Sequence, residues 1–94
     1  MTTHPDLYNE HPSTIVVYFT SWCPDCRRAR RVLESEQVPF FGVDIDEDTR
    51  AEQFVKSINR GNRSVPTIIF PDGSRMVEPG NEQLTQKLRQ FQTR

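Results

Sequence analysis

The segment that most constrains the fold of this chain is 15–36, in which an apolar run leads through two cysteines into a helical pattern. The run Ile15–Phe19 consists of β-branched and aromatic residues, which is typical of a strand buried on both faces of a sheet. Cys23 and Cys26 follow, and they are the only cysteines in the chain. Pro24 suits the first position of a helix, because its missing N–H needs no partner there and its φ is already helical. The segment therefore predicts a strand followed by a Cys-x-x-Cys motif at a helix N-terminus.

This position favours redox chemistry at the two cysteines. Unpaired N–H groups and the dipole of a helix N-terminus stabilise an anion, and the thiolate is the reactive form of cysteine. Asp25 opposes this effect, because it places a negative charge beside the sulfur. Cys26 shares the apolar stripe of the predicted helix with Ala29 and Leu33, whereas Cys23 precedes the first turn. We therefore expect an exposed, attacking Cys23 and a buried Cys26, as in a dithiol redox motif.

The rest of the chain predicts an α/β fold. Alternating apolar residues over 41–45 indicate a second strand, and apolar spacing of three and four residues over 51–58 indicates a second helix. A turn sequence separates two strands of a hairpin, 67–70 and 75–78, and a last helix begins near residue 81. The order β-α-β-α-β-β-α is a thioredoxin-like arrangement. It predicts a four-stranded mixed sheet flanked by helices.

Polar residues mark the expected beginnings of the helices and of the domain. Asp48 or Thr49 is expected to cap the second helix, and Asn81 the last one. Residues 1–14 are polar, contain two prolines and lack periodicity. We therefore expect a flexible lead over 1–14 and a single domain over 15–94.

Composition and charge exclude several classes of function. The net charge is −1, which provides no general attraction to nucleic acid or to a membrane. The acidic stretch 44–52 and the arginines of 27–31 are interpreted as solvated surfaces. His4 and His11 lack the pattern of a metal site, so no bound metal or cofactor is expected. No segment is long and apolar enough to span a bilayer, and no signal-peptide pattern precedes residue 15, so we expect a cytoplasmic monomer.

Three segments together resemble a known family: Tyr18–Cys26, with its Trp-Cys-Pro-Asp-Cys, then 61–67 with its Val-Pro, and 70–74 with its Pro-Asp-Gly. They are similar to the small bacterial glutaredoxins, the mycoredoxin branch in particular, over residues 15–90. The resemblance implies a thiol–disulfide oxidoreductase that reduces protein disulfides or mixed disulfides with a low-molecular-weight thiol. It also implies that Cys23 is the catalytic nucleophile and Cys26 the resolving cysteine.

The resemblance further implies a substrate edge beside Cys23. A cis peptide before Pro66 would bring the backbone of Val65 next to the cysteine, where a bound thiol or peptide can pair as an added strand does. The alternative is that Pro66 merely begins an edge strand.

Three side chains near the motif complete the candidate substrate site. Trp22 and Pro24 flank Cys23, and Arg63 matches a basic position of the family that could hold a substrate carboxylate. The alternatives are that Trp22 only packs beside the motif and shields it, and that Arg63 is a solvent-facing loop residue.

The chain departs from glutathione-using glutaredoxins at two places. Thr20 and Ser21 stand where those proteins usually carry a Lys or Arg, and Pro-Gly-Asn-Glu over 79–82 replaces a Gly-Cys-Asp or Gly-Ser-Asp. Glutathione, mycothiol and bacillithiol therefore all stay open as the reductant, and a flavoprotein reductase is an alternative electron source. An iron–sulfur cluster or metal-binding module is a further alternative, although two cysteines without a second pair fall short of a closed zinc site.

Overall fold

The computed structural model describes residues 5–92, and the secondary structure of this part follows the predicted order. The elements are β1 (Ile15–Phe19), α1 (Pro24–Ser35), β2 (Phe40–Asp44), α2 (Thr49–Ile58), β3 (Thr67–Ile69), β4 (Arg75–Val77) and α3 (Asn81–Gln92). The predicted β-α-β-α-β-β-α order is confirmed, with boundaries that differ by one or two residues. None of the helices in this part of the chain is long and apolar enough to cross a membrane.

The four strands form one mixed sheet in the order β2-β1-β3-β4, which confirms the predicted architecture. β1 is parallel to β2 and antiparallel to β3, and β3 is antiparallel to β4. In the β1–β3 pair, Tyr18 near the end of β1 lies opposite Thr67 at the start of β3. The loop that follows β1 and the loop that precedes β3 therefore meet at the same edge of the sheet. These loops contain Cys23 and Pro66.

Side-chain alternation along β1 divides the core into two layers. Ile15 and Val17 pack with buried residues of α1 and α3, such as Leu33. Val16 and Tyr18 pack on the opposite face with buried residues of α2. Because the strand is covered on both faces, its residues 15–18 are at most 1% exposed. An uninterrupted apolar run is the pattern that such a strand requires.

The helix caps agree with the sequence at α2 and differ at α3. Asp48 is the N-cap of α2 and accepts a hydrogen bond from a first-turn N–H at 3.1 Å. The prediction that Asn81 caps α3 is wrong. Gly80 takes that position, since its carbonyl accepts from the Leu84 N–H at 3.0 Å and its own N–H donates to Gln83 Oε1 at 3.2 Å. Gln83, the third helical residue, thus reaches back to the N–H of the cap residue, which is one half of a capping box.

The N-terminal residues contact the domain more closely than a flexible lead would. The Tyr8 hydroxyl donates to Asp48 at 2.6 Å, and the Tyr8 N–H donates to the Tyr18 hydroxyl at 3.1 Å. Asp6 is only 3% exposed, and it accepts hydrogen bonds from the N–H and hydroxyl of Ser13. In residues 5–14, ordered contacts thus extend N-terminal to the predicted boundary at residue 15. The boundary itself stays a prediction.

Candidate active site

Cys23 lies at the N-cap position of α1. Its Sγ accepts a hydrogen bond from the Cys26 N–H at 3.1 Å. The sulfur thereby occupies the place of the side-chain oxygen that caps most helices. Pro24 follows in the first turn, as predicted. The positive end of the helix dipole and one backbone N–H donor therefore both face the Cys23 sulfur.

The expectation that Cys23 is exposed is wrong, since only 6% of the residue is accessible. The reason is the loop before β3, which approaches the motif and places the carbonyl oxygen of Val65 3.9 Å from the Cys23 sulfur. The peptide bond between Val65 and Pro66 is cis, which confirms what the resemblance implied. The small accessible surface of Cys23 therefore lies beside the Val65 backbone, and we refer to it as the opening to Cys23.

Cys26 is completely buried, as its place on the apolar stripe predicted. Burial, and then its hydrogen bond with Cys23, raise the pKa of Cys26 to about 12. This thiol stays protonated at neutral pH, because removal from water disfavours the charged form. The two sulfurs are therefore unequal, with one placed to carry negative charge and the other held as a neutral thiol beneath it.

Trp22 lies at the surface and does not pack into the core. Its side chain is 60% exposed, and its indole N–H donates to Asp46 Oδ2 at 2.9 Å. This hydrogen bond fixes the ring from the loop after β2 instead of from the core. Asp46 is consequently a residue of the site that the sequence pattern did not identify.

Arg63 is engaged by two carboxylates of the protein. Its Nη2 donates to Asp46 Oδ1, and its Nε donates to Glu52 Oε2 at 2.5 Å. The hydrogen bond from Trp22, and then Arg63, hold the pKa of Asp46 below its usual value. Arg63 lowers the pKa of Glu52 in the same way. The only sequence signal for these contacts was the acidic stretch 44–52, which we interpreted as solvated surface.

The two residues before Trp22 are Thr20 and Ser21, and both are neutral. Thr20 is completely buried, and within the described residues its hydroxyl oxygen has no hydrogen-bond partner. Ser21 is exposed. Neither residue carries a positive charge. In residues 5–92, no group of three His, Cys, Asp or Glu side chains is arranged to hold a metal ion. His4 lies outside the described residues, and the ring of His11 lies beside Gly73 in the hairpin turn.

The fold and the paired cysteines define a thioredoxin-like protein with a dithiol motif at the start of its first helix. Comparisons with known proteins identify the family within this class. The glutaredoxin family model matches residues 15–75. Mycoredoxin 1 of Corynebacterium glutamicum is 39% identical over 67 residues, which cover 71% of this chain and 82% of that protein. A Mycobacterium tuberculosis protein whose name places it among the glutaredoxins is 38% identical over 76 residues, covering 81% of this chain and 90% of that protein.

A solved structure supports the same assignment. The crystal structure of a glutaredoxin from Archaeoglobus fulgidus superposes with a TM-score of 0.73 and 28% identity, covering 94% of this chain and 99% of that one. The chain belongs to the glutaredoxin family. Its members are thiol–disulfide oxidoreductases that act on disulfide substrates with low-molecular-weight thiols, and this protein is an enzyme of that class.

Proposed function

We propose that the protein reduces disulfides by a dithiol mechanism in which Cys23 attacks and Cys26 resolves. The Cys23 thiolate attacks one sulfur of a substrate disulfide, forms a mixed disulfide and releases the other sulfur as a thiolate. Cys26 then attacks the Cys23 sulfur, which releases the remaining substrate thiolate. That thiolate takes the proton of Cys26. The enzyme is left with a Cys23–Cys26 disulfide, and two thiol equivalents return it to the dithiol.

The observation that carries this proposal is the hydrogen bond from the Cys26 N–H to the Cys23 sulfur. It supports negative charge on Cys23 and leaves the buried Cys26 as the later partner. Substrate-binding roles for Trp22, Pro24, Val65 and Pro66 follow from their places around the opening. The Val65 carbonyl is close enough to the sulfur for an extended substrate to pair with this backbone.

We propose mycothiol as the reductant, with glutathione and bacillithiol as the alternatives. Thr20 and Ser21 offer no cation to a thiol that carries carboxylates, and Arg63 is already paired within the protein. Mycothiol joins its cysteine to a sugar–inositol body without carboxylates, so it does not require such cations. The relationship to Mycoredoxin 1 is in keeping with this choice. Reduction by a flavoprotein reductase remains the second electron source to be tested.

The Cys26→Ser variant tests the mechanism and the electron source together. Its Cys23 can still attack, so we expect a trapped mixed disulfide on Cys23, located by mass spectrometry. If a low-molecular-weight thiol is the reductant, that thiol releases the adduct from outside, and the variant keeps substantial activity on small mixed disulfides. A reductase requires the internal disulfide, so the same variant would be inactive in a reductase-coupled assay.

Cys23→Ser is the matched control, and it should abolish exchange in both assays. An adduct on Cys26 in this variant, formed at the wild-type rate, would reverse the assignment of the two cysteines. The donors to be compared are glutathione, mycothiol, bacillithiol and a thioredoxin reductase, each offered separately to the oxidised wild-type protein.

We also propose that the protein acts as a monomer in the cytoplasm. A reducing compartment supports this role, because it returns an active-site disulfide to the dithiol form. Sedimentation at micromolar concentration should give the chain mass of 11.0 kDa. A dimer mass under reducing conditions would refute the monomer.

A further inference from the structure

The positive charge of Arg63 is used inside the protein. Its side chain is one-third exposed, yet two of its N–H groups point at the carboxylates of Asp46 and Glu52. A guanidinium recognises a carboxylate through paired N–H donors held in a fixed plane. Donors already directed at internal carboxylates are not free to form that pair with a substrate. The family's basic position is therefore present here, but two of its N–H donors are engaged and two carboxylates of the protein balance its charge.

This cluster is connected to the surroundings of Cys23 at two points. Asp46 accepts the indole N–H of Trp22, which directly precedes the nucleophile. Arg63 lies two residues before Val65, whose carbonyl oxygen contacts the Cys23 sulfur. A substrate that reaches Cys23 must therefore pass close to the Trp22–Asp46–Arg63–Glu52 cluster.

The surrounding charge does not compensate for the neutralised Arg63. The segment 44–52 carries five carboxylates, and the basic groups near them are Arg50, Lys56 and Arg63. Of these, Arg50 lies over the ring of Tyr8, and the Lys56 ammonium reaches Glu52 only at 4.0 Å. The five carboxylates of the segment 44–52 thus outnumber these three basic groups.

We propose that Asp46 and Glu52 are specificity-determining residues that disfavour carboxylate-bearing thiols at Cys23 by holding Arg63 away from them. This inference rests on the proposed function, in which a low-molecular-weight thiol enters at Cys23. An incoming carboxylate has to displace an internal one that is already tethered at the site, and it is repelled by the other. A thiol without carboxylates meets neither obstacle. The site thus discriminates against glutathione without a steric block.

The test is the kinetics of two small mixed disulfides that differ in charge. One joins glutathione to an uncharged reporter thiol, and the other joins 2-mercaptoethanol to the same reporter. Asp46→Asn and Glu52→Gln remove one charge each, and both keep a side-chain oxygen as a hydrogen-bond acceptor. Each should lower the ratio of the KM for the glutathione disulfide to the KM for the mercaptoethanol disulfide about threefold, the order expected for an exposed ion pair.

Glu47→Gln is the matched control. Glu47 is exposed, directly follows Asp46, and has no ion-pair partner in residues 5–92. Its substitution removes the same charge without releasing Arg63, so this KM ratio should stay within the error of wild type. Because Trp22 is the only tryptophan, its fluorescence spectrum shows whether the ring keeps its position in Asp46→Asn.

The double variant Asp46→Asn/Glu52→Gln then shows whether Arg63 causes the gain. Adding Arg63→Gln to it should abolish the lower KM ratio. A gain that persists without Arg63, an equal gain in Glu47→Gln, or no gain in any variant would overturn the inference. These outcomes are separate from a failure of the proposed function, in which the wild-type protein would exchange neither mixed disulfide.

Discussion

Two cysteines three positions apart differ in chemistry because one caps a helix and the other is buried beneath it. Cys23 has a backbone N–H donor at its sulfur and a small accessible surface. Cys26 has no accessible surface, and its pKa is raised to about 12. Cys26 therefore stays protonated at pH 8. Since the thiolate is the form that reacts, we expect exchange to begin at Cys23 and not at Cys26.

Alkylation of the reduced protein tests this asymmetry. Iodoacetamide at pH 8 should label Cys23 and leave Cys26 unmodified while the protein stays folded, as measured by peptide mass spectrometry. The same reagent should label both cysteines in denaturant, which serves as the control for detection. Labelling of Cys26 in folded Cys23→Ser, at a rate close to that of Cys23 in the wild type, would contradict the proposed environment.

Trp22 and Arg63 show which properties of a site residue the sequence could predict. Their presence at the site was predictable, because each lies beside a residue that the motif or the Val-Pro pair identifies. Their partners were not predictable. Trp22 and Asp46 are 24 positions apart, and Arg63 is 17 positions from Asp46. An acidic stretch contains no signal for which of its carboxylates turns towards the motif, because the twist of a loop decides this.

Among the helices and strands, the elements were predictable because each depends on a local pattern. Tertiary contacts did not override these local signals, which are the apolar run of β1, the apolar face of α1 and the turn residues before β4. The exposure of Cys23 depended instead on the loop before Pro66, which approaches the motif from a distant segment. The cap of α3 also failed as a prediction, because Asn81 and Gly80 are adjacent and the backbone decides which one ends the loop.

Asp48 joins the N-terminal segment to α2 through two hydrogen bonds. One of its carboxylate oxygens caps the helix, and the other accepts the hydroxyl of Tyr8. Asp48→Ala loses both contacts and should lower the free energy of unfolding by about 1–2 kcal/mol. Tyr8→Phe should cost about 0.5–1.5 kcal/mol, and it should be nearly neutral once Asp48→Ala is present. Urea denaturation of the four proteins measures these differences.

Asp48→Ser separates the two contacts. Serine is a good N-cap, but its shorter side chain does not reach the Tyr8 hydroxyl as the carboxylate does. Asp48→Ser should therefore lower the free energy of unfolding only as much as Tyr8→Phe does. Fully additive effects of Tyr8→Phe and Asp48→Ala would mean that residues 5–14 do not stabilise the domain through this hydrogen bond.

For the protein as a unit, two buried groups on opposite sides of the sheet make stability depend on alkaline pH. Burial raises the pKa of Tyr18 to about 12 from an ordinary value of 10.0. The pKa of Cys26 is also about 12, against 9.0 for an ordinary cysteine. Both groups keep their protons in the folded state after they have lost them in the unfolded chain. The contribution of Cys26 to stability is therefore complete below pH 9 and is lost as the pH rises towards 12, and that of Tyr18 is lost from about pH 10.

The free energy of unfolding of the reduced protein should consequently fall above pH 9, by up to about 1.4 kcal/mol per pH unit for each group that titrates only when unfolded. Cys26→Ala removes one of the two groups, so its stability should stay flat to about pH 10 and then fall less steeply than that of the wild type. Urea denaturation of both proteins between pH 8 and 11 measures the two curves.

The wild type with an oxidised Cys23–Cys26 pair is the control, because a disulfide has no thiol proton to lose and its curve should follow that of Cys26→Ala. Parallel curves for the reduced wild type and Cys26→Ala across this range would mean that Cys26 ionises at its ordinary pKa. The raised pKa assigned to this buried thiol would then be wrong.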